Sequence, residues 1–227
     1  MQLTLFNGSP RGKGSNTKVL LEQFTRGFTE VPNNHVQVAY LNNVQKLADH
    51  VALFKQSENM IVAFPLYTDA MPGIVKHFIE ALAPLCGQCE NLRLGFIVQS
   101  GFPEPAHSRP VEKYLRKLTT RLGCHLTGVV IRGGAEGIRM QPPWMTKKLF
   151  RNFYELGRHY GQTAQFDETI LKKLAPREKL SDGRKLFFRL ANLVGFANFH
   201  WNMQLKKNNA FDQRFNQPYL SRDQQNE

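Results

Sequence analysis

The feature that most limits what this chain can become is a repeated change of hydrophobic period. Short apolar runs of β type lie near residues 3–6, 36–40, 60–64, 92–99 and 126–131. Stripes at helical spacing alternate with them: Val19, Leu20, Phe24 and Phe28; Leu47, Val51 and Phe54; Ile74, Val75, Phe78, Ile79 and Leu82; Val111, Tyr114, Leu115 and Leu118; Leu149, Phe153, Leu156 and Tyr160. The run Met60-Ile61-Val62-Ala63-Phe64 has no polar alternation, as expected of a central parallel strand buried on both faces. Strand–helix alternation of this kind predicts an α/β protein, a doubly wound five-stranded parallel sheet with right-handed crossovers covering both faces. Ligands of such sheets sit at the carboxyl ends of the strands, where the strand order reverses. The loops after the first, third, fourth and fifth strands carry the unusual Gly, Pro and aromatic residues, and their convergence predicts a site.

The first loop, GSPRGKGSNT from Gly8 to Thr17, leads from a strand into a helix and has the make-up of an anion pocket. It is not a nucleoside-triphosphate loop: counted from Gly8, Lys13 stands where glycine is needed and Gly14 where lysine is needed. It is not a dinucleotide fingerprint either. Thr17 replaces the third glycine, and the second strand ends in Tyr40-Leu41-Asn42-Asn43 without an acid for a ribose diol. What remains suits one terminal phosphate, with Ser9, Ser15, Asn16 and Thr17 as hydrogen-bond donors and Arg11 adding charge. A plainer reading, in which Ser and Asn only cap the helix, stays open at this point.

The 227 residues allow one generous domain plus an extension, and a hydrophobic content of 41% is enough for a core. No apolar run is long enough to span a membrane, and no secretory signal pattern precedes the first strand. The three cysteines, an odd number, do not form a disulfide framework, so reduced thiols in the cytoplasm are expected. The net charge of +12 divides into +5 over residues 1–144 (15 basic, 10 acidic) and +7 over residues 145–227 (15 basic, 8 acidic). No nucleic-acid motif accompanies it, and no specific nucleic-acid partner is expected. A solvated basic face, or a funnel for anionic nucleotides, accounts for the excess.

GSPRGKGSNT after the first strand, together with PLYTDAMPGIVKHFIE after the third, resembles the flavodoxin-like NAD(P)H-dependent FMN reductases over residues 1–165. The resemblance implies strand order 2-1-3-4-5, noncovalent FMN, NADPH or NADH as co-substrate, a small-molecule electron acceptor, and a homodimer or homotetramer. By the same resemblance Ser9, Arg11, Ser15, Asn16 and Thr17 hold the FMN phosphate. Pro65, Leu66, Tyr67, Met71 and Gly73 line the isoalloxazine, Ser100, Gly101 and Phe102 close its other edge, and Gly133 and Gly134 neighbour it. The commoner reductases often have Asn after the tyrosine, where this chain has Thr68. Hydride transfer through a flavin needs no protein acid or base, so none is assigned. Two other readings are an FMN-binding electron carrier working with protein partners and a flavin-free scaffold. The usual acidic surface of the carrier is absent.

Cys86-Gly87-Gln88-Cys89 is a C-x-x-C placed after a helix and before a strand, opposite to a thioredoxin-like motif. Only Cys124 and His125 are conceivable further ligands, so plain thiols are expected. His107 and Glu104 fall near the presumed flavin edge, where loop solvation is the expected role. Residues 166–227 form a C-terminal helical extension and polar tail: a short helix over 167–174, then a stripe of Leu186, Phe187, Leu190, Leu193, Val194, Ala197 and Trp201 flanked by Arg184, Lys185, Arg189, Lys206 and Lys207. That stripe is expected to pack on the core or a second subunit, with a membrane surface as the rival. Residues 207–227 are expected to be an arm with little order.

Overall fold

The computed structural model describes residues 1–175, 183, 186, 189, 190 and 198–217. The chain forms two compact units, Met1–Lys179 and Leu180–Glu227. In the first, five parallel strands run in the order β2-β1-β3-β4-β5: β1 (Gln2–Asn7), β2 (His35–Tyr40), β3 (Asn59–Pro65), β4 (Arg93–Gln99) and β5 (His125–Arg132). Between them run α1 (Asn16–Glu30), α2 (Leu47–Gln56), α3 (Gly73–Ala81) and α4 (Arg109–Leu122), followed by α5 (Pro143–Thr163) and α6 (Glu168–Leu174). This is the expected architecture.

Side-chain alternation along each strand feeds two separate cores. Phe6, Met60, Val62, Phe64, Phe96 and Val98 point to one face and meet Phe54, Phe78 and Leu115 from α2, α3 and α4. Leu3, Leu5, Ile61, Ala63, Ile97 and Val130 point to the other and meet Phe24, Phe28, Phe153, Leu156 and Tyr160 from α1 and α5. With both faces covered, β3 is buried along its whole length. On α4 the inner face consists of Val111, Leu115, Thr119 and Leu122; Tyr114, expected on that face, is exposed. The buried stripe centres on Val111, Leu115, Thr119 and Leu122, which leaves Tyr114 at its exposed edge. Phe166 and Leu174 are buried in the second core, so α6 belongs to the first unit, beyond the boundary expected at residue 165.

The α1–α5 crossing is the tightest contact in this unit. A Cβ on Gly157 would collide with the Phe24 carbonyl, and one on Gly27 with the Tyr154 carbonyl. The two helix backbones therefore touch, which no larger residue permits at either position.

In the second unit, α7 (Phe199–Lys207) is followed by turns through residue 216. The Arg214 guanidinium lies 3.9 Å from the centre of the Phe211 ring and 4.7 Å from that of Phe215. Residues 208–217 thus hold local structure. Leu186, Leu190 and Trp201 of the apolar stripe are exposed in the single chain. Phe187, Leu193, Val194, Ala197, Arg184 and Lys185, and the tail from residue 218, lie outside the described residues.

Gly157→Ala replaces a poor helix former with the best, a change worth about 1 kcal/mol of stabilisation where space allows. Here overpacking wins, and a net loss of about 2 kcal/mol is expected, lowering Tm by about 6 °C. A thermal melt followed by circular dichroism checks it, with unchanged Tm as the contrary result.

Candidate functional site

Four loops meet at the carboxyl ends of β1, β3, β4 and β5. Asn7, the last residue of β1, is fully buried and organises the first loop. Its Oδ1 accepts from the Ser9 N–H at 2.9 Å, and its Nδ2 reaches Ser15 Oγ at 3.3 Å. Ser15 is the N-cap of α1: its hydroxyl donates to the Gly12 carbonyl at 2.7 Å and accepts from the Lys18 N–H at 3.1 Å. Asn16 donates from Nδ2 to the Ala135 carbonyl at 2.9 Å, tying α1 to the loop after β5. Thr17 Oγ1 accepts from Gln99 Nε2 at 3.4 Å. Three of the side chains expected to donate outward therefore already have internal partners. The hydroxyl of Ser9 has no such partner among the described residues. Asn16 and Thr17 open α1, so their N–H groups have no acceptor within the helix.

The β3 loop continues the sheet for one step, the Leu66 N–H donating to the Gln99 carbonyl at 2.7 Å. It then reverses in a two-residue turn closed by Tyr67 N–H to Ala70 O at 2.8 Å and Ala70 N–H to Tyr67 O at 3.1 Å. Its central residues, Thr68 (φ 47°) and Asp69 (φ 63°), are both left-handed, the type I′ geometry that Asn-Gly ordinarily fills. A β-branched residue there is strained by about 1 kcal/mol or more. The side chain that left-handed backbone tolerates best after glycine is Asn. Asp69 Oδ1 lies 3.3 Å from Nδ1 of His107, and the His107 ring stacks on Phe102 at 4.5 Å. His107 is thus a brace between two loops and not only a solvated residue.

The last two loops are joined by backbone bonds. The Ser100 N–H donates to the Arg132 carbonyl, the Ala135 N–H to Ser100 O and the Gly134 N–H to Phe102 O, at 2.9, 2.8 and 2.8 Å. Gly133 makes this approach possible: a Cβ there would stand 2.5 Å from the Phe102 carbonyl oxygen and 2.6 Å from that of Pro103.

Among these loops lies a crevice of about 110 Å³. Ser9, Arg11 and Asn16 form one wall, Pro65, Leu66 and Tyr67 a second, and Gln99, Ser100 and Gly101 a third. Of the other expected residues, Ser15 and Thr17 are buried behind the first wall, and Gly133 lies behind the third. Met71 packs against the core, while Phe102 lies outside on His107. Gly73 is exposed, and a Cβ on it would meet nothing within 4 Å, so no close approach within the chain requires glycine there.

Glu136 is the lining residue that pattern reading passed over. Its carboxylate stands 4.0 Å from Arg11, a pair exposed on both sides and worth at most about 1 kcal/mol. Asn7 and Gln99 were also missed, though each is a polar residue closing an apolar strand, which is the signal that could have found them.

A larger open groove of about 600 Å³ runs along α1 and α5 beside Trp144, Arg26, Lys147 and Arg151. No strand end reaches it, and the polar groups converge instead on the crevice. Among the described residues no cluster is arranged to hold a metal ion, and no helix is long and apolar enough to cross a membrane.

No protein-family model matches the sequence, and no curated protein does. Solved structures do match its fold. An FMN-dependent NADH-azoreductase from Bacillus anthracis, determined with FMN, superposes with a TM-score of 0.55 at 13% identity, over 72% of this chain and 99% of that one. The Trp repressor binding protein of Bacillus subtilis gives 0.53 at 20% identity, over 69% and 96%. An NADH:FMN oxidoreductase in its apo form gives 0.52 at 18%, over 70% and 88%. At these identities the likeness is one of fold, and the fold of the first unit is flavodoxin-like.

The strained turn is testable without any ligand. Thr68→Asn keeps the left-handed backbone and removes the branched Cβ, so stability should rise by about 1 kcal/mol and Tm by about 3 °C. A thermal melt checks it; a fall in Tm would show that Thr68 carries no such strain.

Proposed function

We propose that this protein is an FMN-dependent NAD(P)H oxidoreductase that reduces a small acceptor such as a flavin, quinone, nitro or azo compound, or a metal ion. The observation that supports it most is the position and make-up of the crevice. It lies where the strand order reverses, between the ends of β1 and β3, with hydrogen-bond donors on one wall and an aromatic on the other. Bound FMN would supply hydride acceptance and release; the chain supplies position, charge and exclusion of water.

The donor set fits a phosphate monoester. The unpartnered Ser9 hydroxyl, the N–H groups at the start of α1 and the Arg11 guanidinium are the donors available to it, and the helix dipole adds to them. The enclosed space, about 110 Å³, is well below the roughly 300 Å³ of the smallest usual cofactor sites. It suits the phosphate-bearing tail. The ring then belongs at the rim beside Tyr67 and Gly101, where Gly73 leaves open room. Backbone N–H groups of the rim loops are the groups that would meet negative charge on a reduced ring.

NADPH is as acceptable a donor as NADH on this reading. The three free thiols support a cytoplasmic setting. The exposed Trp144 and Met145 at the start of α5 support assembly into a homodimer or homotetramer.

Protein soaked in FMN and desalted should be yellow, with absorbance near ~450 nm, and NADPH or NADH should bleach it without oxygen. A colourless protein defeats the cofactor; a yellow protein that neither nucleotide bleaches leaves an electron carrier. Two substitutions at the mouth should have opposite signs. Arg11→Ala should weaken FMN binding by about 1 kcal/mol, near fivefold in Kd, because the arginine is largely exposed. Glu136→Gln frees Arg11 and removes a carboxylate facing the phosphate, so Kd should fall by about as much. Fluorescence titration of FMN reads both; equal Kd values for all three proteins would remove this pair from the phosphate site.

A further inference from the structure

The second unit has a chemistry that the crevice does not use. Between residues 184 and 214 stand six basic residues, Arg184, Lys185, Arg189, Lys206, Lys207 and Arg214, against one acid, Asp212, a net charge of +5. The geometry after α7 displays part of this charge on aromatic rings. α7 ends in a Schellman motif: Ala210 N–H donates to the Leu205 carbonyl at 2.9 Å and Asn209 N–H to the Lys206 carbonyl at 3.1 Å, with Asn209 left-handed at φ 54°. The chain turns back there and brings Phe211 to Lys206, whose Nζ lies 4.9 Å from the ring centre. Arg214 stacks on Phe211 and Phe215, and its guanidinium donates to the Phe211 carbonyl at 2.7 Å.

These cations remain exposed, and large apolar side chains are exposed with them: Trp201 at 70%, Phe215 at 79%, Met203, and Leu186 and Leu190 one helical turn apart. Charge decides which kind of surface can cover such a unit. A second copy would set +5 against +5, and the rest of this chain carries +7 of the total +12, so both repel it. A nucleic acid would meet the cations but offers no apolar layer to Leu186, Leu190 and Met203. An anionic bilayer meets both needs, with phosphates for the cations and an interfacial zone in which Trp and Phe rings and aliphatic chains are favoured. Among the described residues no helix is long and apolar enough to cross a membrane, so the contact is one of lying on its surface.

We infer that the second unit is a peripheral membrane anchor, which docks on a bilayer surface carrying anionic phospholipid. Lys206, Lys207 and Arg214 meet the head groups, while Trp201 and Phe215 enter the interfacial zone. The stacked arginine suits this place: its two rings give it an apolar support, and the N–H groups not used on Phe211 remain for a lipid phosphate. Lysine stems at the end of α7 can lie along the interface with their ammonium groups in the head-group layer.

Docking needs neither FMN nor a nicotinamide nucleotide, so it is tested apart from the proposed reaction. Full-length protein is mixed with vesicles of phosphatidylcholine alone, or with about one-third phosphatidylserine, and the bound fraction is read by sedimentation at about 0.1 M salt. Trp144→Phe leaves Trp201 as the one tryptophan, whose emission reports its surroundings. Binding to the anionic vesicles alone, with a blue shift of Trp201, is expected. Lys206→Glu combined with Lys207→Glu should weaken it by at least about thirtyfold. Lys147→Glu combined with Arg151→Glu, an equal change of charge in the first unit, should weaken it less than about threefold. Equal binding to both vesicles, an unshifted Trp201 in the bound protein, or equal losses in the two double variants would each overturn the anchor. So would self-association abolished by Trp201→Ser, which assigns the surface to a second copy, or binding to a DNA oligonucleotide without binding to vesicles.

Discussion

Both faces of the central sheet are covered by helices, and most of the architecture follows from that. Backbone amides and carbonyls inside such a sheet pair with one another, so water and ligands reach it only at its two rims. A strand must therefore change character as it leaves the core. β1 does so from Phe6 to Asn7, and β4 from Val98 to Gln99; both polar residues are buried and both turn their amides to neighbouring loops. The same residues that end the apolar run hold the walls of the crevice in place. Core and site are in this sense one construction.

The crevice walls are extensions of the sheet more than free loops. Gly8 N–H donates to Ala63 O, Leu66 N–H to Gln99 O and Ser100 N–H to Arg132 O, each bond adding a step to a strand pair beyond its last regular residue. Preorganisation of this kind lowers the cost of ordering a ligand's surroundings on binding. The exceptions are informative. The Thr68–Asp69 turn and the Arg11–Glu136 pair are the two parts of the rim not secured by sheet hydrogen bonds, and they stand on opposite sides of the mouth. One stores strain and the other is a weak, solvent-screened contact, so both change at little cost in stability.

Periodicity made the five strands, the α/β class and the first five helices legible, because burial on one stripe or on both faces leaves a direct imprint on residue order. The phosphate loop was legible as a loop, but not in its wiring. Ser15 and Asn16 are the residue types that either bind an anion or satisfy the protein itself, and only their geometry, with Ser15 on Gly12 and Asn16 on Ala135, separates the two. Tyr114 was misplaced because Thr119, a polar residue, belongs to the buried stripe of α4, and an apolar pattern that skips it centres the stripe too close to Tyr114. Glu136 was passed over because an acid in a glycine-rich loop has no period to betray it. The joining of the Cys86–Cys89 turn to the end of α4 was beyond reach for a related reason: the two connections are distant in sequence and bonded only through backbone, Gly87 on Arg121 and Cys89 on Leu122.

The two rims thus end in different chemistry for one structural reason. In a parallel sheet all carboxyl ends lie on one side, and there the helices that follow present their N-termini, with N–H groups and positive dipole ends directed at the crevice. The amino ends collect the helix C-termini instead, as Gly123 ends α4 beside the cysteines, so that rim is lined by carbonyls and the negative ends of dipoles. An anion is stabilised at the first rim and opposed at the second. Burial raises the Cys89 and Cys124 thiols at that rim, which likewise keeps them uncharged. The sheet's polarity therefore favours a phosphate at one end and uncharged groups at the other.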